Sequence, residues 1–307
     1  MSLASSRKFI YYTVYTSNPE DPLCLGFYER LVIYQQTNIL TMALKPDASG
    51  TLRLIGDNTS EGIQLSPGDL TNFPLGAWAL DGDDTVNGSG ASELILGNEG
   101  EDFLTGFAGN DSLFGEKGRD ALFGQEGNNS LSGGLDADFI LGEAGDDILF
   151  GGRGNDVLDG ADGNNTLVGG LGRDFLNCEF GNNLCVLGID TATTNINYSD
   201  IIESFDPDLD RIGLASDLTV NDIVLEQVQN VALTYTFDLQ QALQPLLPPS
   251  PADAFSGSAS GTQLRGGISG VYSGTLIRVR NSNAILGFVD DVTPNELQSR
   301  IVSVQGF

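Results

Sequence analysis

The chain has 307 residues, with 42 acidic against 14 basic side chains and a formal charge of −28. A surface this negative disfavours nucleic acid and anionic lipid as partners and favours cations. There is no histidine, which excludes an HExxH protease site, a Ser-His-Asp triad and a Cys-His pair.

Residues 1–75 read as a small β-rich module. Strand-like runs fall at Lys8–Tyr15, Glu29–Gln35, Asn38–Leu44 and Thr51–Ile55, separated by turn signals such as Asn18-Pro19 and Pro46-Asp47-Ala48-Ser49-Gly50. A segment of this size has a marginal core of its own, so it suits a cap over the open end of a larger structure, or a docking and assembly module, better than an independent enzyme domain. After Arg7 and Lys8 only Phe9-Ile10-Tyr11-Tyr12 precede polar residues, too short an apolar run for the core of a signal peptide. Taken alone, this points to a cytoplasmic protein, and no membrane span is visible.

From Ala79 to Val186 a nine-residue period repeats twelve times in one register, without insertion or deletion. One copy reads Gly151-Gly152-Arg153-Gly154-Asn155-Asp156-Val157-Leu158-Asp159: a six-residue glycine-rich turn, then three extended residues. The eighth position is Val86, Ile95, Leu104, Leu113, Leu122, Leu131, Ile140, Leu149, Leu158, Leu167, Leu176 and Cys185, so one apolar side chain per strand points inward and this row is the core. The first position is Gly in every copy except those beginning Ala79 and Cys178, and the fourth in every copy except those with Ala91 and Asp136. Such spacing marks tight turns with positive φ at both positions, where a side chain costs about 1–2 kcal/mol. Two turns and two strands make a flattened coil of eighteen residues, and six stacked coils at about 4.8 Å each give a rod roughly 29 Å long. The expected architecture is therefore all-β: a parallel β-roll solenoid over residues 76–190, between the N-terminal module and a β-rich segment, 191–307.

This pattern resembles the GGxGxDxUx repeat of RTX (repeats-in-toxin) proteins, whose repeats fold as a calcium-binding parallel β-roll. The resemblance implies that Ca²⁺ sits between stacked turns, held by backbone carbonyls of the glycine-rich turn and by the sixth-position carboxylates of repeats n and n+2. Such hard oxygen ligation suits Ca²⁺ better than zinc or copper. Sorting the repeats by edge adds a second expectation. Odd repeats carry Asp84, Asp102, Asp120, Asp138, Asp156 and Asp174, so each adjacent pair offers two carboxylates. Even repeats carry Glu93, Asp111, Asn129, Asp147, Asn165 and Asn183, and only Glu93 with Asp111 is a carboxylate pair. Because calcium affinity depends on ligand charge count, about five strong positions are expected on the odd edge and weaker ones on the even edge. Stacked amides there offer an alternative, a hydrogen-bonded ladder.

Beyond the roll, the stretch from Tyr198 to Leu214 resembles the C-terminal flank of RTX proteins, particularly short cyanobacterial ones. Asp206, Asp208 and Asp210 have the spacing of an EF-hand loop, but Arg211 stands where that loop needs glycine and Asp217 where it needs glutamate, so they read as a turn that finishes the roll. Pro245 to Gly261 reads as a mobile excursion. A hairpin follows: Thr275–Arg280, a turn at Asn281-Ser282-Asn283, then Ala284–Val289. Thr293-Pro294-Asn295-Glu296 has capping-box spacing, predicting a short helix to Arg300 before a last strand over Ile301–Val304. This ending resembles the family's secretion signal, which implies export through a type I secretion apparatus, without an N-terminal signal peptide, to the cell surface or exterior.

Cys24, Cys178 and Cys185 are too few and odd in number for a disulfide framework. A Cys178–Cys185 bridge would tie a turn to a strand interior and is not expected; Cys185 reads as a small buried apolar residue. There is no GxSxG and no phosphate-binding GxxxxGK[ST] run. Paired carboxylates recur with the repeat, as a structural metal array requires and an active site does not. The reading is a secreted, non-catalytic calcium-binding rod of the cell surface or an extracellular matrix, with self-association into fibres or layers open to it. The alternatives are a calcium-dependent adhesin for a carbohydrate or surface partner, and a calcium buffer or sensor.

Overall fold

The computed structural model describes residues 9–12, 31–34, 45–46, 54–56, 58–60, 62–70, 75–188, 193–215, 218–238, 265–282 and 284–305. It is an all-β structure built on a parallel β-solenoid of about six turns over residues 77–186. Pairing is strictly periodic: Leu113 faces Leu131 in the next coil, Leu122 faces Ile140, and Leu158 faces Leu176, each step eighteen residues. Even-repeat strands stack into one sheet and odd-repeat strands into the other, so the two sheets face each other across the eighth-position row. From Ile95 to Leu176 that row is wholly buried.

Most strands run six residues rather than three, as in Phe103–Ala108 and Ser112–Lys117, taking in the seventh to ninth positions of one repeat and the first three of the next. The turn proper is correspondingly short. The two glycine positions also serve different ends, which corrects the expectation of positive φ at both. The fourth-position glycines other than Gly154 adopt it, as at Gly100, Gly109 and Gly118, whereas positive φ at the start of the repeat falls on the second residue: Asn98 at 84°, Phe107 at 72°, Glu116 at 83° and Gln125 at 71°. The first-position glycine is required by close approach instead. A Cβ built at Gly142 would stand 2.6 Å from Asp147 Oδ2, and equivalent collisions arise at Gly97, Gly115 and Gly133.

Both sheets continue past the repeats. At the N-terminal end, Leu54–Ile55 pairs in parallel with Ala77 and Trp78, and Gly62–Gln64 pairs in parallel with Thr85 to Asn87, placing Ile63 and Leu65 in the core. Two of the expected strands appear as the antiparallel pair Phe9–Tyr12 and Leu31–Tyr34. Pro46, expected in a turn, lies in the short strand Lys45–Pro46. Residues 38–44 and the Asn18-Pro19 turn lie outside the described residues.

At the C-terminal end, Asp200–Glu203 extends one sheet and Arg211–Leu214 the other, completing one more coil. The predicted hairpin forms between Arg265–Val279 and Ile285–Asp290. Its first strand also pairs with Ile223–Asp238, and this ribbon carries Leu233 and Leu276 into an apolar cluster with Phe175, Val157 and Ile201. The Thr293 capping box is present, with Pro294 opening the helix, but the helix ends at Leu297 before the strand Ile301–Ser303. The 245–261 excursion lies outside the described residues. Among the described residues no helix is long and apolar enough to cross a membrane.

Cys178 and Cys185 are joined as a disulfide, with Cα atoms 6.9 Å apart, against the expectation of unpaired thiols. The reason is the period of two along a strand. Cys178 follows Leu176 by two residues and so points to the same inner face, opposite the eighth-position Cys185 of the facing sheet. The bridge therefore crosses the core and closes the last repeat.

Candidate metal centres along the two edges

Each turn ends on its sixth residue, and the strand that follows begins pairing at once, so this side chain is held under the turn. On the odd edge Asp84, Asp102, Asp120, Asp138, Asp156 and Asp174 are all at 3% exposure or less. From Asp102 onward, one oxygen of each is used identically. The Oδ1 of Asp102 accepts the backbone N–H of Asp84 at 2.8 Å, that of Asp120 accepts from Asp102 at 2.8 Å, and that of Asp138 from Asp120 at 2.8 Å. Asp156 and Asp174 continue the ladder at 2.9 Å each. Every step reaches back one coil, so the carboxylates tie the stack together along its axis.

The second oxygen has no such use. Oδ2 of Asp102, Asp120, Asp138 and Asp174 on the odd edge, and of Asp111 and Asp147 on the even edge, is buried with no hydrogen-bond partner. Burying an ionised carboxylate oxygen without a partner costs free energy, and the groups respond by holding protons. Burial, reinforced by neighbouring carboxylates, pushes Asp102 up to about 8 and Asp138 up to about 10. Asp120 and Asp111 rise to about 7 and Asp147 to about 6, again through burial first. Asp156 and Asp174, one coil apart, are both pushed up by burial, and Asp156 further by the charge of Asp174.

Among the described residues no three acidic or cysteine side chains converge on one point. The arrangement instead repeats a buried carboxylate under a glycine-rich turn, so further ligands for an ion have to be backbone carbonyls. That donor set is all oxygen, which fits Ca²⁺. The first-position glycine belongs to the cradle, because a Cβ would fill the space beside Oδ2.

The even edge is built differently. Asp111 and Asp147 keep the aspartate arrangement, but Glu93 turns into its own loop, where its carboxylate accepts from the backbone N–H of Ser89 at 3.1 Å and from the Ser89 hydroxyl. Asn129, Asn165 and Asn183 use Oδ1 as the aspartates do, accepting from the preceding coil at 2.9 Å in each case for Asn129 and Asn183, and from Asp147 at 2.8 Å for Asn165. The amide ladder expected of these sixth-position residues is replaced by a short side-chain chain one residue earlier: Asn182 Nδ2 donates to Asn164 Oδ1 at 2.8 Å, and Asn164 Nδ2 to the carboxylate Oδ1 of Asp146 at 2.9 Å.

Two members of the ladders are absent from the sequence-derived set. Asp200 Oδ1 accepts from Asp174 at 3.0 Å, and Asp210 Oδ1 from Asn183 at 2.7 Å, both side chains being buried. Steps of 26 and 27 residues hide them from an eighteen-residue period. The signal available was local: Asp200-Ile201-Ile202 and Asp210-Arg211-Ile212 repeat the acid and apolar spacing of the roll. Asp206 and Asp208, as expected, belong to the turn that presents Asp210, whose Oδ2 accepts the Asp206 N–H at 2.8 Å.

A parallel solenoid with regularly spaced, cation-demanding carboxylates at its turns defines a calcium-binding repeat protein. Comparison with known families gives the same answer: residues 87–122, 123–158, 141–176 and 151–185 match the RTX calcium-binding nonapeptide repeat, in four copies. No curated protein matches the chain. Residues 87–185 thus carry RTX calcium-binding repeats folded as a parallel β-roll, and repeats of this kind bind Ca²⁺, four copies giving multiple sites.

Proposed function

We propose that this is a secreted, non-catalytic calcium-binding protein whose roll serves as a structural rod at the cell surface or in an extracellular matrix, folding on Ca²⁺ after export. The observation that carries this reading is the recurrence along the odd edge of a buried carboxylate oxygen with no hydrogen-bond partner, Oδ2 of Asp102, Asp120, Asp138 and Asp174. Asp84, Asp102, Asp120, Asp138, Asp156 and Asp174 would hold about five ions between successive odd turns, with Asp200 extending the row. Asp111 and Asp147 would contribute weaker positions, and Glu93 less, its carboxylate being engaged by Ser89.

A bound Ca²⁺ supplies positive charge where the fold has gathered like charges. The chain's own residues do the rest. Oδ1 of each aspartate clamps the neighbouring coil, the glycines admit a second oxygen, and the eighth-position row excludes water from between the sheets. Where free Ca²⁺ is low, self-repulsion keeps such a chain unfolded; at millimolar Ca²⁺ it folds by mass action. The Cys178–Cys185 disulfide favours an oxidising exterior over a reducing cytosol. Among the described residues, the strands that end both sheets offer edges for head-to-tail self-association, which supports a role in fibres or layers.

The test is a calcium titration of the full chain with circular dichroism and sedimentation velocity on the same samples, using Mg²⁺ as control. Strand signal rising cooperatively with Ca²⁺, together with growth to large species, is the expected result. A chain that folds but remains monomeric removes the polymer and leaves an adhesin or sensor. A chain already folded in chelator removes the calcium-dependent step.

A further inference from the structure

The seat beside the first-position glycine is filled in two chemically opposite ways. In the even-edge turn ending at Asp147 it holds a carboxylate oxygen, Oδ2, 2.6 Å from where a Cβ on Gly142 would stand, and that oxygen is buried without a hydrogen-bond partner. In the turns ending at Asn129 and Asn165 the same seat holds the amide nitrogen, 2.6 Å and 2.7 Å from the corresponding points on Gly124 and Gly160. There the occupant is satisfied. Asn129 Nδ2 donates to Gly127 O at 3.1 Å and Asn165 Nδ2 to Ala161 O at 3.4 Å. In the last repeat Asn183 Nδ2 lies within reach of three carbonyls of its own turn, Cys178 at 3.1 Å, Glu179 at 2.9 Å and Phe180 at 3.2 Å.

Backbone carbonyls lining a turn present partial negative charge. A carboxylate oxygen aimed at them repels unless a cation lies between, whereas an amide –NH₂ carries two donors and completes the same turn by itself. The oxygen end of each asparagine still clamps the preceding coil, so replacing the acid with an amide leaves the stacking ladder intact. Only the demand for a cation disappears. In the last repeat the disulfide closes the turn from its other side, which gives that coil a second fastening independent of metal.

We infer that Asn129, Asn165 and Asn183 act as built-in substitutes for calcium, closing three even-edge turns with their own amide nitrogens so that these turns take up no ion. This rests on the calcium reading proposed above and goes beyond a graded affinity: the odd edge is metal-dependent, while the even edge keeps a cation demand only at Asp111 and Asp147 and near Glu93. Calcium then controls the roll chiefly from one side.

The experiment counts calcium ions bound to the full chain by native mass spectrometry at saturating Ca²⁺, for wild type and for the triple variant Asn129→Asp, Asn165→Asp, Asn183→Asp, with melting temperature followed against calcium in parallel. The triple variant is expected to bind about three more ions than wild type, to be less ordered in chelator, and to gain more thermal stability per tenfold rise in Ca²⁺. Equal ion counts in the two proteins overturn the inference. A wild type that fills all its turns, odd and even alike, overturns it too but leaves the calcium reading standing, whereas a wild type that binds no calcium overturns both. Should the triple variant fail to fold, Asn183→Ala decides: loss of stability by the same amount at every calcium concentration, with an unchanged ion count, supports the amide closure, and an increased count overturns it.

Discussion

Asp138 and its odd-edge neighbours have carboxyl groups whose folded-state affinity for protons is raised by burial. A group with a raised folded pKa stabilises the fold fully below its unfolded value, and that stability is lost as pH rises through the folded value. For Asp120, Asp102 and Asp138 the loss begins above about pH 4 and extends through about 7, 8 and 10. In chelator the strand signal should therefore be stronger near pH ~5 than near pH ~8. With saturating Ca²⁺ the order reverses, because protons then compete with the ion for the same oxygens. Circular dichroism over the two pH series checks both signs. Substitution beside the carboxylate should be equally informative. Gly115→Ala places a methyl group against Asp120, and it should lower stability by about 1–3 kcal/mol and raise the calcium concentration at the folding midpoint, as read by a titration against wild type.

At the scale of the element, the unit is the eighteen-residue coil. Its inner contribution is one large side chain per strand, so Leu131→Ala removes one of the two that fill a coil and should cost about 2–5 kcal/mol in denaturant unfolding at saturating calcium. The terminal coil depends on residues outside the nonapeptide array. With Asp200 and Asp210 changed together to alanine, the backbone N–H groups of Asp174 and Asn183 lose their acceptors. Hydrogen exchange at saturating calcium should then show lost protection concentrated in the last coil, with the central coils retaining theirs. Reducing Cys178–Cys185 should be milder. The closed loop is short, with a sequence separation of 7, and such a bridge contributes about 2–3 kcal/mol on the chain-entropy model.

Across the whole molecule, the charge of −28 opposes compaction wherever the aspartates are ionised and unmatched. In chelator at neutral pH the hydrodynamic radius should shrink as NaCl rises from ~10 mM to ~1 M, since screening shortens the reach of that repulsion. Calcium should achieve the same contraction at far lower concentration because it acts at the buried oxygens themselves. The roll also shares its core with the described flanking segments that pair onto it. Ile63 and Leu65 at one end, and Ile202, Ile212 and Leu286 at the other, join the same core as the eighth-position row. The ribbon of Ile223–Asp238 and Arg265–Val279 adds a second apolar cluster around Phe288.

The sequence by itself determined the coil, its eighteen-residue step, the inward row and the odd-edge carboxylates, because each follows from a strict period that only one stacking geometry satisfies. It also made the Thr293 capping box and the closing hairpin legible, since both are local chemistry. What depends on chain segments meeting across space was decided by the tertiary structure. The bridge between Cys178 and Cys185 needed two sheets to face each other. Asp200 and Asp210 entered the ladders only after interruptions of the period were folded out. Whether Asn129, Asn165 and Asn183 turn oxygen or nitrogen toward their own turns is a choice between two ends of one side chain, fixed by where the neighbouring coil places its N–H groups.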